Sequence, residues 1–238
     1  MIKAALVSFN GVIVHDDAIQ QQLIEQLLIE ENLRPDPNEY RQDCLGRSDR
    51  SCLTCLLQRR GRFVTPADMK RLLTKKAAAY QSWLSALEKP PIYPDVKDLL
   101  FRIQSRQYKL ALVTSAQAGE VEPLLLQAGL SDAFAVTVTG DDVEAAGSKP
   151  APDSYQIAIE RLNQRHPGLA LTPANCVAIE ATFVGIDAAK AAGIPVIGVA
   201  HSYPNHMLQR CATWVVDYLI EIDFDWITQR APVGISQI

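Results

Sequence analysis

The chain has 238 residues, a formal net charge of −4, 48% apolar and 21% charged residues, a length that fits one core or a core with a small insertion. That balance excludes a disordered or fibrous chain, and it gives no electrostatic ground for nucleic acid, which is held through clustered Lys and Arg. The apolar stretch from Ala4 to Val14 is broken by Ser8, Asn10 and Gly11; it is too short for a bilayer and lacks a signal-peptide pattern, so no membrane partner is expected. Cys44, Cys52, Cys55, Cys176 and Cys211 are an odd set in a chain long enough to stand without crosslinks, and a reducing, cytoplasmic setting is expected. Cys52 and Cys55 form a C-x-x-C one helical turn apart with no second ligand pair, so small apolar packing is favoured over zinc.

In chain order, Lys3 to Gly11 is a continuous apolar run ending in a polar turn, the pattern of a strand buried on both faces. From Asp16 the period changes: Ile19, Leu23, Leu27 and Leu28 recur at helical spacing, with Asp16 and Asp17 placed to cap the helix start. A break at Pro35-Asp36-Pro37, a polar turn from Leu45 to Arg50, and helical patterns over Leu53 to Leu57 and Met69 to Leu87 follow, with no strand pattern between them. After Lys89-Pro90-Pro91 the text alternates: helix Val96 to Ser105, strand Leu110 to Thr114, helix Glu120 to Ala128, strand Ala135 to Thr139. Helix Asp153 to Arg165, strand Cys176 to Ile179, helix Gly185 to Ala192, strand Val196 to Val199, a strand at Trp214 and a closing helix complete it. Such alternation predicts a parallel sheet covered on both faces. The helical block after the first strand is placed to cover the carboxyl edge of that sheet.

Ser8-Phe9-Asn10-Gly11-Val12-Ile13 resembles the D-x-D-G-V-I signature loop of the haloacid dehalogenase superfamily. Thr114 ends the second strand where that family has its phosphate-binding Ser or Thr. Ser148-Lys149-Pro150-Ala151-Pro152-Asp153 is similar to its G-K-P-x-P-D loop, and Glu180 to Gly193 to its E-D-S-x-x-G-I-x-A-A-x-A-A-G segment. Four matches in order are far more specific than one loop motif. The Gly46-Arg47-Ser48-Asp49-Arg50 turn resembles the β-phosphoglucomutase and sugar-phosphate phosphatase subgroup. The resemblance implies an α/β fold: a Rossmann-like core of parallel strands between helices, residues 1–15 and 90–238, with a small all-helical cap inserted over 16–89.

The same resemblance implies a chemistry that the residues here do not carry. In the family, the first Asp attacks phosphorus and the second moves the leaving group's proton; the positions here are Ser8 and Asn10. The family's magnesium is held by that first Asp, the backbone carbonyl two residues on, and acids of the E-D segment. Of those side chains Glu180 remains and Ala181 replaces the other. A metal-free site is therefore expected, with Lys149 and Glu180 as a nearly neutral pair. A phosphate or other small anion could be held by Thr114, the amide of Ser115, Lys149 and loop amides near Gly11; the alternative is a structural remnant in which these groups only satisfy one another.

Arg47 and Arg50 are expected to be solvated rather than to grip a ligand. His15 is expected to serve packing or a turn, His166, His201 and His206 show no metal-ligand spacing, and Trp214 and Trp226 are expected as core anchors. The expectation for function is a catalytically inactive, phosphatase-like binding or regulatory protein whose partner is a phosphorylated small molecule or a protein. The alternative is an active phosphoric monoester hydrolase or phosphoglucomutase-like enzyme, with magnesium and an altered nucleophile.

Overall fold

A computed structural model of the chain describes residues 1–143 and 147–230. Six strands, β1 (Ala4–Val7), β2 (Lys109–Val113), β3 (Val136–Val138), β4 (Cys176–Glu180), β5 (Val196–Val199) and β6 (Trp214–Val216), form one sheet in the order β3-β2-β1-β4-β5-β6. Every pairing is parallel. β1 lies between β2 and β4 with both its faces covered, which is why Ala4 to Val7 is continuously apolar instead of alternating.

After β1 the chain runs through three helices, α1 (Asp17–Glu30), α2 (Asp49–Arg59) and α3 (Pro66–Ser85), before it returns to the sheet side with a fourth. We call this block the cap. Ser48 starts α2 by accepting from the Ser51 amide, and Thr65 with Pro66 starts α3 by accepting from the Asp68 amide, both ordinary N-terminal devices. The cap has an apolar core of its own, built from Ile24, Leu27, Leu28, Leu53, Leu56, Leu57, Met69, Leu72 and Leu73. The other helices, α4 (Val96–Ser105), α5 (Ala118–Ala128), α6 (Asp153–Arg165), α7 (Phe183–Ala191), α8 (Asn205–Leu208) and α9 (Phe224–Arg230), follow the alternation read from the sequence. No helix among the described residues is long and apolar enough to cross a membrane.

Two expectations fail at this level. Cys44 and Cys52 are joined by a disulfide, with Cα atoms 4.6 Å apart, so the five cysteines are not all free. A short helical turn over Tyr40–Cys44 leads into the polar loop, which doubles back to α2 and brings together two residues whose spacing carried no such message. Cys55, Cys176 and Cys211 are free. Trp226 is 43% exposed and meets Trp214 edge-on at 6.4 Å; it covers the sheet edge from outside and is no core anchor.

Candidate functional site at the strand ends

Parallel strands present their carboxyl ends on one side, and there three adjacent strands bring the sequence motifs together. Ser8 and Asn10 follow β1, Thr114 and Ser115 follow β2, Glu180 ends β4, and Lys149 arrives from the loop before α6. All six line one cleft between core and cap, together with Gly46 and Arg47 of the cap loop. The open space inside is about 40 Å³, more than the roughly 10–15 Å³ that one water needs and far less than the ~300–1,000 Å³ of ordinary small-molecule pockets. The cap therefore sits tightly on the core.

Glu180 and Lys149 form the expected pair. The Lys149 ammonium donates to Glu180 Oε1 at 2.5 Å and to the Val113 carbonyl at 3.0 Å, and the Tyr155 hydroxyl donates to the same Oε1 at 2.6 Å. Both partners are almost fully buried. Burial and the adjoining carboxylate push the Tyr155 phenol well above its ordinary range, so it remains a donor. Thr114 donates to Asn10 Oδ1 at 3.4 Å and accepts from the Ala116 amide at 3.0 Å. Ser115 spends its hydroxyl on the Gly46 carbonyl at 3.2 Å, tying core to cap.

The anion cradle differs from the one read in the sequence. Gly11 cannot supply its amide, because it donates to the Val14 carbonyl at 2.9 Å in the tight signature turn. Its role is steric: at φ +77° a Cβ would lie 2.8 Å from both the Ala181 methyl and Ser202 Oγ. Among the described residues, the amides of Phe9, Asn10 and Ser115 take no partner in the hydrogen-bond network. Of these three residues, Asn10 and Ser115 line the cleft.

The donor set does not fit the magnesium that the resemblance implies. A hard dication needs several oxygen ligands, some of them anionic. Here position 8 offers an alcohol, Glu180, the one carboxylate left at the family's metal positions, is paired with Lys149 and accepts from Tyr155, and the Ala181 methyl is wholly buried in the apolar cluster beneath the loop. No other trio of His, Cys, Asp or Glu among the described residues could take over.

The cap side of the cleft was not foreseen. Asp16 and Asp17 were expected as helix caps, but the Asp16 side chain makes no capping bond. It turns inward and accepts from Asn10 Nδ2 through both oxygens at 3.0 Å, from Gln20 at 3.0 Å and from the Tyr80 hydroxyl at 2.9 Å. Burial raises its pKa against the opposing effect of these donors. Asp17 accepts from Ser202 at 2.8 Å. Gln20 also donates to Glu120 at 3.2 Å, and Lys76, 1% exposed, is held by Asp49 at 2.6 Å and Glu120 at 3.0 Å. Burial and the nearby Asp49 outweigh Lys76 and push the Glu120 carboxyl up to about 7.

The remaining residues fall as follows. Arg47 is half-buried and lines the cleft, so the solvated reading does not hold for it; Arg50 is exposed on the first turn of α2, away from the cleft. His15 is exposed and packs its ring edge on Tyr93 at 5.3 Å, as a packing role required. His201, stacked on Tyr93, binds the Gly11 carbonyl at 2.8 Å and so steadies the signature turn.

With this geometry in hand, three comparisons bear on identity. The family pattern described as "Hydrolase: haloacid dehalogenase-like hydrolase" matches residues 6–193. Among curated proteins, the phosphorylated carbohydrates phosphatase of Thermotoga maritima is 37% identical over 110 residues, 46% of this chain and 47% of that protein. The β-phosphoglucomutase of Bacillus subtilis is 29% identical over 59% of this chain and 57% of its own length. The chain thus spans about half the length of the curated relatives it matches. Among solved structures, β-phosphoglucomutase from Clostridium difficile superposes with a TM-score of 0.83 at 22% identity, covering 96% of each chain. CbbY from Rhodobacter sphaeroides, solved in complex with phosphate, gives 0.74 at 24%, covering 93% of this chain and 96% of its own. At such identity these two matches speak for the fold.

Proposed function

The chain belongs to the haloacid dehalogenase-like hydrolase family, and we propose that within it this protein binds a small oxyanion without turning over phosphate esters. One observation carries the reading: Glu180, the last acid at the strand ends, is bound to Lys149 and Tyr155, while an alcohol stands at 8 and an amide at 10. A serine hydroxyl attacks phosphorus only if a neighbouring base removes its proton. The Lys149 ammonium is spent on Glu180 and the Val113 carbonyl, and no bond joins it to Ser8. Asn10 moves no proton, which alone lowers a rate by roughly 10²–10⁴. A phosphoryl group that reached Ser8 would form another phosphate monoester, a class whose uncatalysed hydrolysis is among the slowest known.

What these groups do support is binding. Asn10 and Ser115, whose amides are free, and Lys149 line the cleft, and amide and ammonium donors of this kind hold phosphate well. Phosphate released from, or still carried by, a small metabolite is the ligand class.

The rival reading, a working phosphatase or mutase, rests on Asp16. It is the carboxylate in direct contact with Asn10, with a raised pKa suited to an acid catalyst. The two are separated by incubating the purified protein with magnesium and a panel of aryl and sugar phosphates, with mass spectrometry for a phosphoryl group on Ser8. Turnover abolished by Ser8→Ala would sink the binding reading. In parallel, inorganic phosphate should raise the melting temperature of the wild type and not of Lys149→Met; no shift at all would leave a protein partner at the cap as the function.

A further inference from the structure

The cap and core are joined at the far end of the cleft by charges of the protein's own. We propose that the buried cluster of Lys76, Asp49 and Glu120 is a latch that holds the cap shut on the core with no ligand present, so that a ligand enters only by parting Lys76 from Glu120.

Lys76 sits on α3 and Asp49 on α2, both in the cap, whereas Glu120 lies in the first turn of α5 in the core. Lys76 is the one cation among them, and it is shared: 2.6 Å from Asp49 and 3.0 Å from Glu120. Gln20 extends the contact, since its amide donates to both Glu120 and Asp16, and Asp16 in turn holds Asn10 and Tyr80. A continuous polar chain therefore runs from the signature turn through the base of the cap to α5. Removing Lys76 from between two buried carboxylates leaves uncompensated charge, the arrangement that most strongly opposes a closed interface. Around the latch the seam closes with further hydrogen bonds: Ser115 to the Gly46 carbonyl, Ser48 to Ser148, Gln81 to the Gly119 carbonyl, and Arg41 to the Ser202 carbonyl. At Gly46 the fit is so close that a Cβ would collide with the Thr182 side chain. The latch acts whether or not chemistry occurs at Ser8, so it goes beyond the binding reading and is judged separately from it.

The test is small-angle scattering together with hydrogen–deuterium exchange across residues 44–52 and 113–120 of the full chain. Wild type should scatter as a closed molecule, and saturating inorganic phosphate should leave its radius of gyration unchanged; contraction on adding phosphate would overturn the proposal. Glu120→Lys sets two ammonium groups against each other and should open the cap, raising exchange in both segments at least tenfold. The exchanged pair Lys76→Glu with Glu120→Lys should close it again. Arg71→Met, on the same helix as Lys76, removes an exposed ion pair to Glu31 at the end of α1 and should change nothing. Should Glu120→Lys fail to fold, Lys76→Met is read in the same way. Exchange within twofold of wild type in the latch variant, or an equal rise in Arg71→Met, would sink the latch. Phosphatase turnover has no bearing on either measurement.

Discussion

The two ends of the cleft treat charge in opposite ways. At the strand ends the balance is one to one: Lys149 faces Glu180, both buried, with Tyr155 completing the carboxylate. At the cap side Asp49 and Glu120 share a single ammonium, Lys76, and Gln20 ties Glu120 to a further carboxyl, Asp16. The first end is therefore a closed pair of one cation and one carboxylate. The second gathers more carboxyls than cations, and burial raises the pKa of both Asp16 and Glu120 there. Acid groups are missing where family chemistry wants them and concentrated where cap meets core.

The comparison is broken most forcefully at Lys149. Lys149→Met strands Glu180 in a site that is 1% exposed and should lower stability by about 3–5 kcal/mol, read by urea denaturation. A loss under 1 kcal/mol would mean the one-to-one balance is not what holds that end.

The pH dependence comes next and belongs to the other end. The Glu120 carboxyl has its pKa raised to about 7 in the folded chain from an ordinary 4.5, facing Lys76 from α3, Asp49 from α2, and Gln20 from α1, with Tyr80 and Tyr40 also near. The folded state thus holds this proton more tightly than the unfolded one. The resulting stability is fully present below pH 4.5 and fades as pH rises through 7. Between pH 5 and pH 8 the loss should be on the order of 2 kcal/mol. Glu120→Gln should flatten the curve over that interval; an equally steep curve in the variant would assign the proton elsewhere.

Two smaller effects sharpen the picture. Tyr80→Phe removes a donor from the buried Asp16 carboxylate and should lower stability by about 1.5–2 kcal/mol while raising the Asp16 pKa further, visible by carboxyl NMR. Ser115→Ala removes only the tie to the Gly46 carbonyl. It should lower stability by about 1 kcal/mol, with faster exchange confined to the cap loop.

Much of the molecule could be read in advance, and the reasons are physical. Helices α4 and α6 and strand β5 begin and end where the periodicity places them, because apolar spacing reports directly on which side of an element is buried. The strand-end residues were legible through the ordered motifs, and Lys149 does meet Glu180. The latch was missed although its trace is in the text. Gln20 interrupts the buried stripe of α1, Lys76 that of α3 and Glu120 that of α5. A polar residue in an apolar stripe must find a partner, but which stripes face one another is decided by tertiary packing. Asp16 misled for a related reason: acids before a helix usually cap it, and only the depth of the cleft turns this one inward. Loop amides near Gly11 were expected as donors, but which of them stay free is set by the turn, where Gly11 itself donates to the Val14 carbonyl.

The crosslink between Cys44 and Cys52 fastens the two ends of the loop that carries Gly46, Arg47, Ser48 and Asp49, the same loop that touches the core at Ser115 and Ser148. A preparation kept in dithiothreitol and one handled in air would then be two distinct materials at this joint. Ligand screens run on one need not transfer to the other.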